Sequence, residues 1–206
     1  MGHYVIMEFL GTFIFTLVLA LSSEPLPIGL ALMAMIYVGG HISGAHYNPA
    51  VSLASWVQRG LNNEALLSYV AAQILGALAG LMLGARFAGS VYPLDLPTGN
   101  LFDHALIGLL LVMVLVLVVL TVAKVSGYKG SSIQGLVIGL TFASLAALGL
   151  NPAVLNPAVA VGSMLIAVLG GGGIMDAPNL VLVYIVAPLA GGAIAAWAYN
   201  FLNDRK

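Results

Sequence analysis

The sequence predicts an all-α membrane protein. Six transmembrane helices and two re-entrant half-helices are expected, as an inverted 3+3 repeat. Three observations carry that expectation. Of 206 residues, 61% are hydrophobic and only 6% are Asp, Glu, Lys or Arg, whereas a soluble globular chain carries about 25% charged residues. So little charge cannot cover a surface in water, and most of this surface must face lipid. Six apolar segments are long enough to cross a bilayer, and two are too short. Finally, Asn48-Pro49-Ala50-Val51 recurs as Asn156-Pro157-Ala158-Val159.

The first span, 4–21, holds Glu8. No Lys or Arg precedes it and no small-residue cleavage site follows, so it reads as a span rather than a signal peptide. Spans 28–44, 65–88, 104–123, 132–149 and 179–202 follow, near the length of about 20 apolar residues that a hydrocarbon core requires. Stretches 49–58 and 157–169 are too short to cross and read as re-entrant segments. The second stops at the glycine run 170–173, a strong helix terminator.

The duplicated motif has an offset of 108, which Ser55 and Ser163 keep. Tyr69, Gln73 and Gly76 match Tyr184, Pro188 and Gly191 at an offset of 115, the difference being absorbed in the glycine-rich loop. Residues 1–206 therefore read as one transmembrane channel domain with internal repeats 1–90 and 101–206. Three spans per half turn the second half upside down, a plan common in channels and transporters.

Charge orients the chain and excludes functions. Threading six spans puts Arg59, Lys124, Lys129, Arg205 and Lys206 on the side of both termini and only Arg86 on the other. By the positive-inside rule the termini are cytoplasmic, in the cell membrane. A net charge of −1 argues against nucleic-acid binding. The absence of cysteine removes disulfides and thiolate sites. His41 and His46 lie five apart, the wrong spacing for a helical metal pair. No metal or cofactor is implied. Trp56 and Trp197 read as interface anchors.

Asn is a favoured N-cap and Pro a favoured first helical residue, so each Asn-Pro-Ala starts a short helix. Inversion brings the two starts together from opposite sides. Each helix start carries about half a positive charge. Together they repel cations and offer N–H donors to a passing oxygen. A water bound to both amides points its hydrogens outward and relays no proton across the centre. Asn151-Pro152-Ala153 is a rival for the second position. Asn156 is favoured because it keeps the serine offset and precedes the longer apolar helix, which leaves Asn151 as a turn former.

Residues 40–51, Gly-His-Ile-Ser-Gly-Ala-His-Tyr-Asn-Pro-Ala-Val, resemble the first signature of the aquaporins, the major intrinsic protein family. Residues 8–13 resemble the family's first-helix motif, 69–80 its third helix and 184–199 its sixth. The resemblance implies a homotetramer in the lipid bilayer, each protomer with its own pore for water or small neutral solutes. It places the outer filter on Ile28, Ser144, Ala153 and Val159; counting forward from Gly139 moves the second of these to Ala146. The family's water-selective filter has an aromatic ring, a His and an Arg, and none of these stands here. Val159 replaces the Arg, Ala160 replaces the Asp of glycerol-type members, and Gly108 replaces a buried Glu. Glu8, His41 and His46 take the family's loop-bracing positions.

The leading expectation is a passive channel for water, with some passage of small neutral solutes such as glycerol, and no catalytic chemistry. A non-conducting family member and a coupled secondary transporter are the alternatives. The transporter would need a midplane ion site, for which only Glu8 qualifies.

Overall fold

The structure, a computed structural model, describes residues 2–22, 24–92, 94, 98–125, 127–128, 132–170 and 177–203. Among them every regular element is helical. These are α1 (Gly2–Leu21), α2 (Pro25–Ser43), α3 (Pro49–Val57), α4 (Asn63–Ala88), α5 (Leu101–Lys124), α6 (Gln134–Ala146), α7 (Pro157–Leu169), α8 (Ala177–Val181) and α9 (Ala187–Asn203). A 3₁₀ turn, Pro152–Leu155, precedes α7, and a π-helical turn, Leu182–Val186, joins α8 to α9.

Local chemistry sets the boundaries. Asn48, Asn62, Asn100 and Asn156 each cap a helix by accepting a backbone N–H on the side-chain oxygen. Gly44 and Gly89 close α2 and α4 in the left-handed conformation. The π turn has a cause in Pro188. Its ring cannot sit against the carbonyl four residues back and it has no N–H to donate. The Ala187 N–H reaches the Leu182 carbonyl instead, five residues away.

Five of the six expected spans are helices long and apolar enough to cross a membrane: α1, α2, α4, α5 and the rod Pro178–Asn203. The expected fifth span, 132–149, is shorter. Its helix is α6, 13 residues, or about 20 Å at 1.5 Å per residue. It stops because Gly149 takes a left-handed φ of 79° and Pro152 follows. The outer end of this span is therefore irregular backbone, tolerated at depth only where protein or a cavity shields it.

Helix α1 packs on α4, α5 on α9, and α2 on α6. The half-helices cross over, α3 packing on α9 and α7 on α4. Close approach depends on glycine at the long pairs. A Cβ on Gly76 would meet the Phe9 carbonyl at 2.5 Å, and one on Gly191 would collide with the Leu109 carbonyl. Large apolar side chains, among them Ile6, Leu10, Leu75, Met82, Leu110 and Val114, stay exposed along the outer faces. The protein is an integral membrane protein, so lipid covers them. At one end the start of α1 meets the start of α4, where Tyr4 and Val5 share a shallow cavity with Asn62 and Glu64. There Gln58 accepts from Lys124 Nζ at 2.7 Å and donates to the Ala196 carbonyl at 2.7 Å. Arg86 lies in the last turn of α4, at the other end from Asn62. Lys129, Arg205 and Lys206 lie outside the described residues.

Candidate functional site

The two duplicated asparagines meet. Asn48 and Asn156 are both buried, and both bound the same cavity. Each uses its side-chain oxygen locally, Asn48 accepting from the Ala50 N–H at 2.9 Å and Asn156 from the Ala158 N–H at 3.0 Å. Each amide nitrogen then reaches across to the opposite half. Asn48 Nδ2 donates to the Leu155 carbonyl at 2.7 Å, and Asn156 Nδ2 to the Tyr47 carbonyl at 2.9 Å. The bonds are reciprocal, since each acceptor immediately precedes the other asparagine. They bring the starts of α3 and α7 together, with Pro49, Ala50, Pro157 and Ala158 buried behind them. An amide has two N–H groups, so each asparagine keeps one for the cavity.

The loop before Asn48 needs support. Ala45 and Tyr47 adopt left-handed φ values of 52° and 49°, a conformation costing of order 1–3 kcal/mol for a non-glycine residue. Glu8, fully buried, holds them. One carboxylate oxygen accepts from the Ser43 hydroxyl at 2.6 Å and the His46 N–H at 3.0 Å. The other accepts from the Tyr47 N–H at 2.7 Å and Gln73 Nε2 at 2.8 Å. His46 Nδ1 lies 3.1 Å from the Ser52 hydroxyl, and its ring packs edge-on against Tyr69. Glu8 and His46 thus belong to one bracing network. His41 does not: it sits exposed near the end of α2, bounding the mouth of the cavity. Gln73 and Ser43 were missed as functional residues. Gln73 left a trace, as a lone amide in an apolar helix.

The second loop solves the same problem differently. Ala153, Val154 and Leu155 stand at the repeat offset from Ala45, His46 and Tyr47. They form the 3₁₀ turn, and no left-handed φ occurs there. Asn151 caps it, accepting from the Ala153 N–H at 3.0 Å, while its own carbonyl accepts from the Val154 N–H at 3.0 Å. A backbone that bonds itself needs no carboxylate. Gly108 offers no side chain, and a Cβ there would meet Val154 Cγ2 at 2.6 Å.

Two cavities flank this centre. The inner one, about 500 Å³, runs from His41 and Gln134 past Ile36 and Ile138 to Phe142 and the asparagine pair. The outer one, about 470 Å³, is bounded by Leu19, Ile28, Tyr92, Asn151 and Pro152. They share no bounding residue. Phe15 and Leu32 bound the inner cavity, and Leu19 and Ile28 the outer. Phe15 and Leu19 on α1, and Leu32 and Ile28 on α2, are each four residues apart, so about 6 Å of helix rise separates the residues that bound the two cavities. Phe15 and Phe142 meet edge-to-face, ring centres 5.2 Å apart.

Ile28, fully buried, bounds the outer cavity. Ala153 and Val159 are also fully buried, and neither bounds the two cavities. Ser144 requires a correction. It is exposed, its hydroxyl donates back to the Leu140 carbonyl at 2.8 Å, and it shares a face with exposed Leu136 and Leu140. Phe142 bounds the inner cavity, and two residues on a helix turn about 200°. Ala146, one turn beyond Phe142, is buried instead. Counting back from Asn156 fails because the early end of α6 and the 3₁₀ turn alter the intervening length.

A family model described as Major intrinsic protein matches residues 1–199. "Aquaporin NIP1-1" of Zea mays is 37% identical over 180 residues, covering 85% of this chain and 61% of that one. "Glycerol uptake facilitator protein-like 6" of Lactiplantibacillus plantarum is 32% identical over 219 residues, covering 96% of each. The chain spans about three-fifths of the length of the Zea mays and Oryza sativa relatives (61% and 60%). Among solved structures, the aquaglyceroporin from Plasmodium falciparum superposes with a TM-score of 0.81 at 26% identity, covering 95% of this chain and 94% of that one.

Proposed function

Since the chain belongs to the major intrinsic protein family, we propose that it is a passive channel for water and small neutral solutes such as glycerol. The observation that carries the proposal is the reciprocal asparagine pair, each amide bonded to the opposite half with one N–H left for the cavity. Solute oxygen accepts from these groups in single file. Two abutting helix starts repel cations. A water bound to both amides turns its hydrogens away from the centre, which interrupts proton relay.

The reading includes Asn48-Pro49-Ala50 and Asn156-Pro157-Ala158 as the pore motifs of two inverted repeats, 1–90 and 101–206. Ile28, Ala146, Ala153 and Val159 form the outer constriction, which lacks a guanidinium. Glu8 and His46 brace the first loop, and His41 marks the cytoplasmic mouth. Both termini are cytoplasmic, supported by Arg59 and Lys124 on their side. The reading also includes a homotetramer in the cell membrane with one pore per protomer. The family transports rather than catalyses, and no enzymatic step is proposed.

The test is stopped-flow permeability of proteoliposomes to water and to glycerol. Vesicles containing the protein are expected to shrink faster than empty ones in an osmotic step and to take up glycerol faster. Shrinkage at the empty-vesicle rate refutes the water channel, and equal glycerol uptake removes the solute claim. Val159→Arg is expected to lower glycerol flux before water flux, because it adds bulk and charge at the constriction.

A further inference from the structure

We propose that Tyr92, in the link between α4 and α5, forms with Asn151 the polar wall of the outer constriction and sets how well the channel accepts small polyols relative to water. The proposal rests on the channel reading above and adds a residue that the filter count did not contain.

The outer cavity has a mixed lining. Leu19, Ala20, Ile28 and Val91 give it apolar surface, and Ser22 and Ser90 add hydroxyls. Tyr92 and Asn151 stand on the same cavity, joined where the Tyr92 hydroxyl donates to Asn151 Oδ1 at 2.8 Å. That oxygen also accepts from the Ala153 N–H at 3.0 Å, so both its lone pairs are engaged. A phenol oxygen that donates its hydrogen to Asn151 has two lone pairs; the Ala153 backbone faces one, and the other is left as an acceptor. Burial and the neighbouring Tyr184 raise the Tyr92 pKa and the hydrogen bond from the Ala153 backbone lowers it; the net rise keeps the phenol protonated.

The chemistry follows from what each wall offers. Among the described residues no Lys or Arg bounds the outer cavity, and Val159 is apolar. The polar wall instead presents an acceptor. A solute with O–H donors on one edge and C–H groups on the other fits such a slot: the hydroxyls face Tyr92 and the carbons face Ile28. Short polyols have that shape.

Proteoliposomes carrying the wild type, Tyr92→Phe or Tyr92→Ala are compared for water, glycerol and erythritol permeability in one stopped-flow series, normalised to protein content. Tyr92→Phe keeps the ring and loses the oxygen. Its glycerol-to-water ratio is expected to fall about three- to tenfold, the equivalent of one neutral hydrogen bond. Tyr92→Ala removes the wall, and erythritol permeability is expected to rise above wild type. A Tyr92→Phe ratio within twofold of an actively conducting wild type overturns the proposal and leaves the channel reading standing. So does erythritol flux in Tyr92→Ala no higher than in the wild type. A wild type with no flux above empty vesicles overturns both.

Discussion

Removing the Glu8 carboxylate should unlatch the first half-helix, and the structure gives the size of the effect. Its two oxygens accept four donors: the Ser43 hydroxyl, the His46 and Tyr47 backbone N–H groups, and Gln73 Nε2. Glu8→Gln keeps the shape and replaces one oxygen with an NH₂. If that group takes the place of the first oxygen, Ser43 can rotate its hydroxyl but the His46 N–H is orphaned. If it takes the place of the second, Gln73 can flip its unpartnered Oε1 inward, but the Tyr47 N–H is orphaned. Either way one buried donor is lost, a cost of about 1–3 kcal/mol. Glu8→Ala orphans both amides, for about 2–6 kcal/mol, and releases the left-handed Ala45 and Tyr47. Thermal unfolding in detergent, followed by circular dichroism, should rank wild type above Glu8→Gln above Glu8→Ala. Water permeability per folded protein should fall in the same order, because the loop carries Asn48. A Glu8→Ala protein that melts with the wild type and conducts equally would refute the bracing argument.

Three further substitutions probe the packing and the asymmetry of the halves. Gly191→Ala forces a methyl against the Leu109 backbone carbonyl between α5 and α9, while Gly40 in α2 has nothing within 4 Å of a built Cβ. Melting temperatures should therefore move in opposite directions, down for Gly191→Ala and up for Gly40→Ala, the latter by up to about 1 kcal/mol of helix propensity; shifts of the same sign would count against the packing shown here. Gly108→Glu should destabilise, because its Cβ meets Val154 Cγ2 at 2.6 Å and the 3₁₀ turn has no amide waiting for a carboxylate. A more heat-stable Gly108→Glu protein would mean that the second loop lacks a brace after all.

Much of the architecture was legible along the chain because its causes are local. Apolar run lengths marked the spans, and Asn-Pro at a helix start is capping chemistry confined to three residues. Asn48 and Asn156 could therefore be named as a pair, and a lone carboxylate at Glu8 in an apolar span could be marked as meaningful. Side-chain direction was not legible to the same degree. One residue of register turns a helical side chain by about 100°, so a count across an irregular loop carried Ser144 to the outer face when Ala146 was the buried position. The expected length of the fifth span failed for a related reason, since Gly149 and Pro152 act on backbone geometry rather than on hydropathy.

Sparse charge, a duplicated Asn-Pro-Ala-Val and the family signature at 40–51 were sufficient, by themselves, to determine the membrane class and the two half-helix starts. Only the tertiary structure decided how those starts are held. The crossed Asn48–Leu155 and Asn156–Tyr47 bonds join residues more than a hundred positions apart. The carboxylate brace in one half and the self-bonded 3₁₀ turn in the other are alternative answers to the same demand, that buried backbone N–H groups find acceptors. Which answer each half uses depends on what folds against it, and that is a property of the packed molecule.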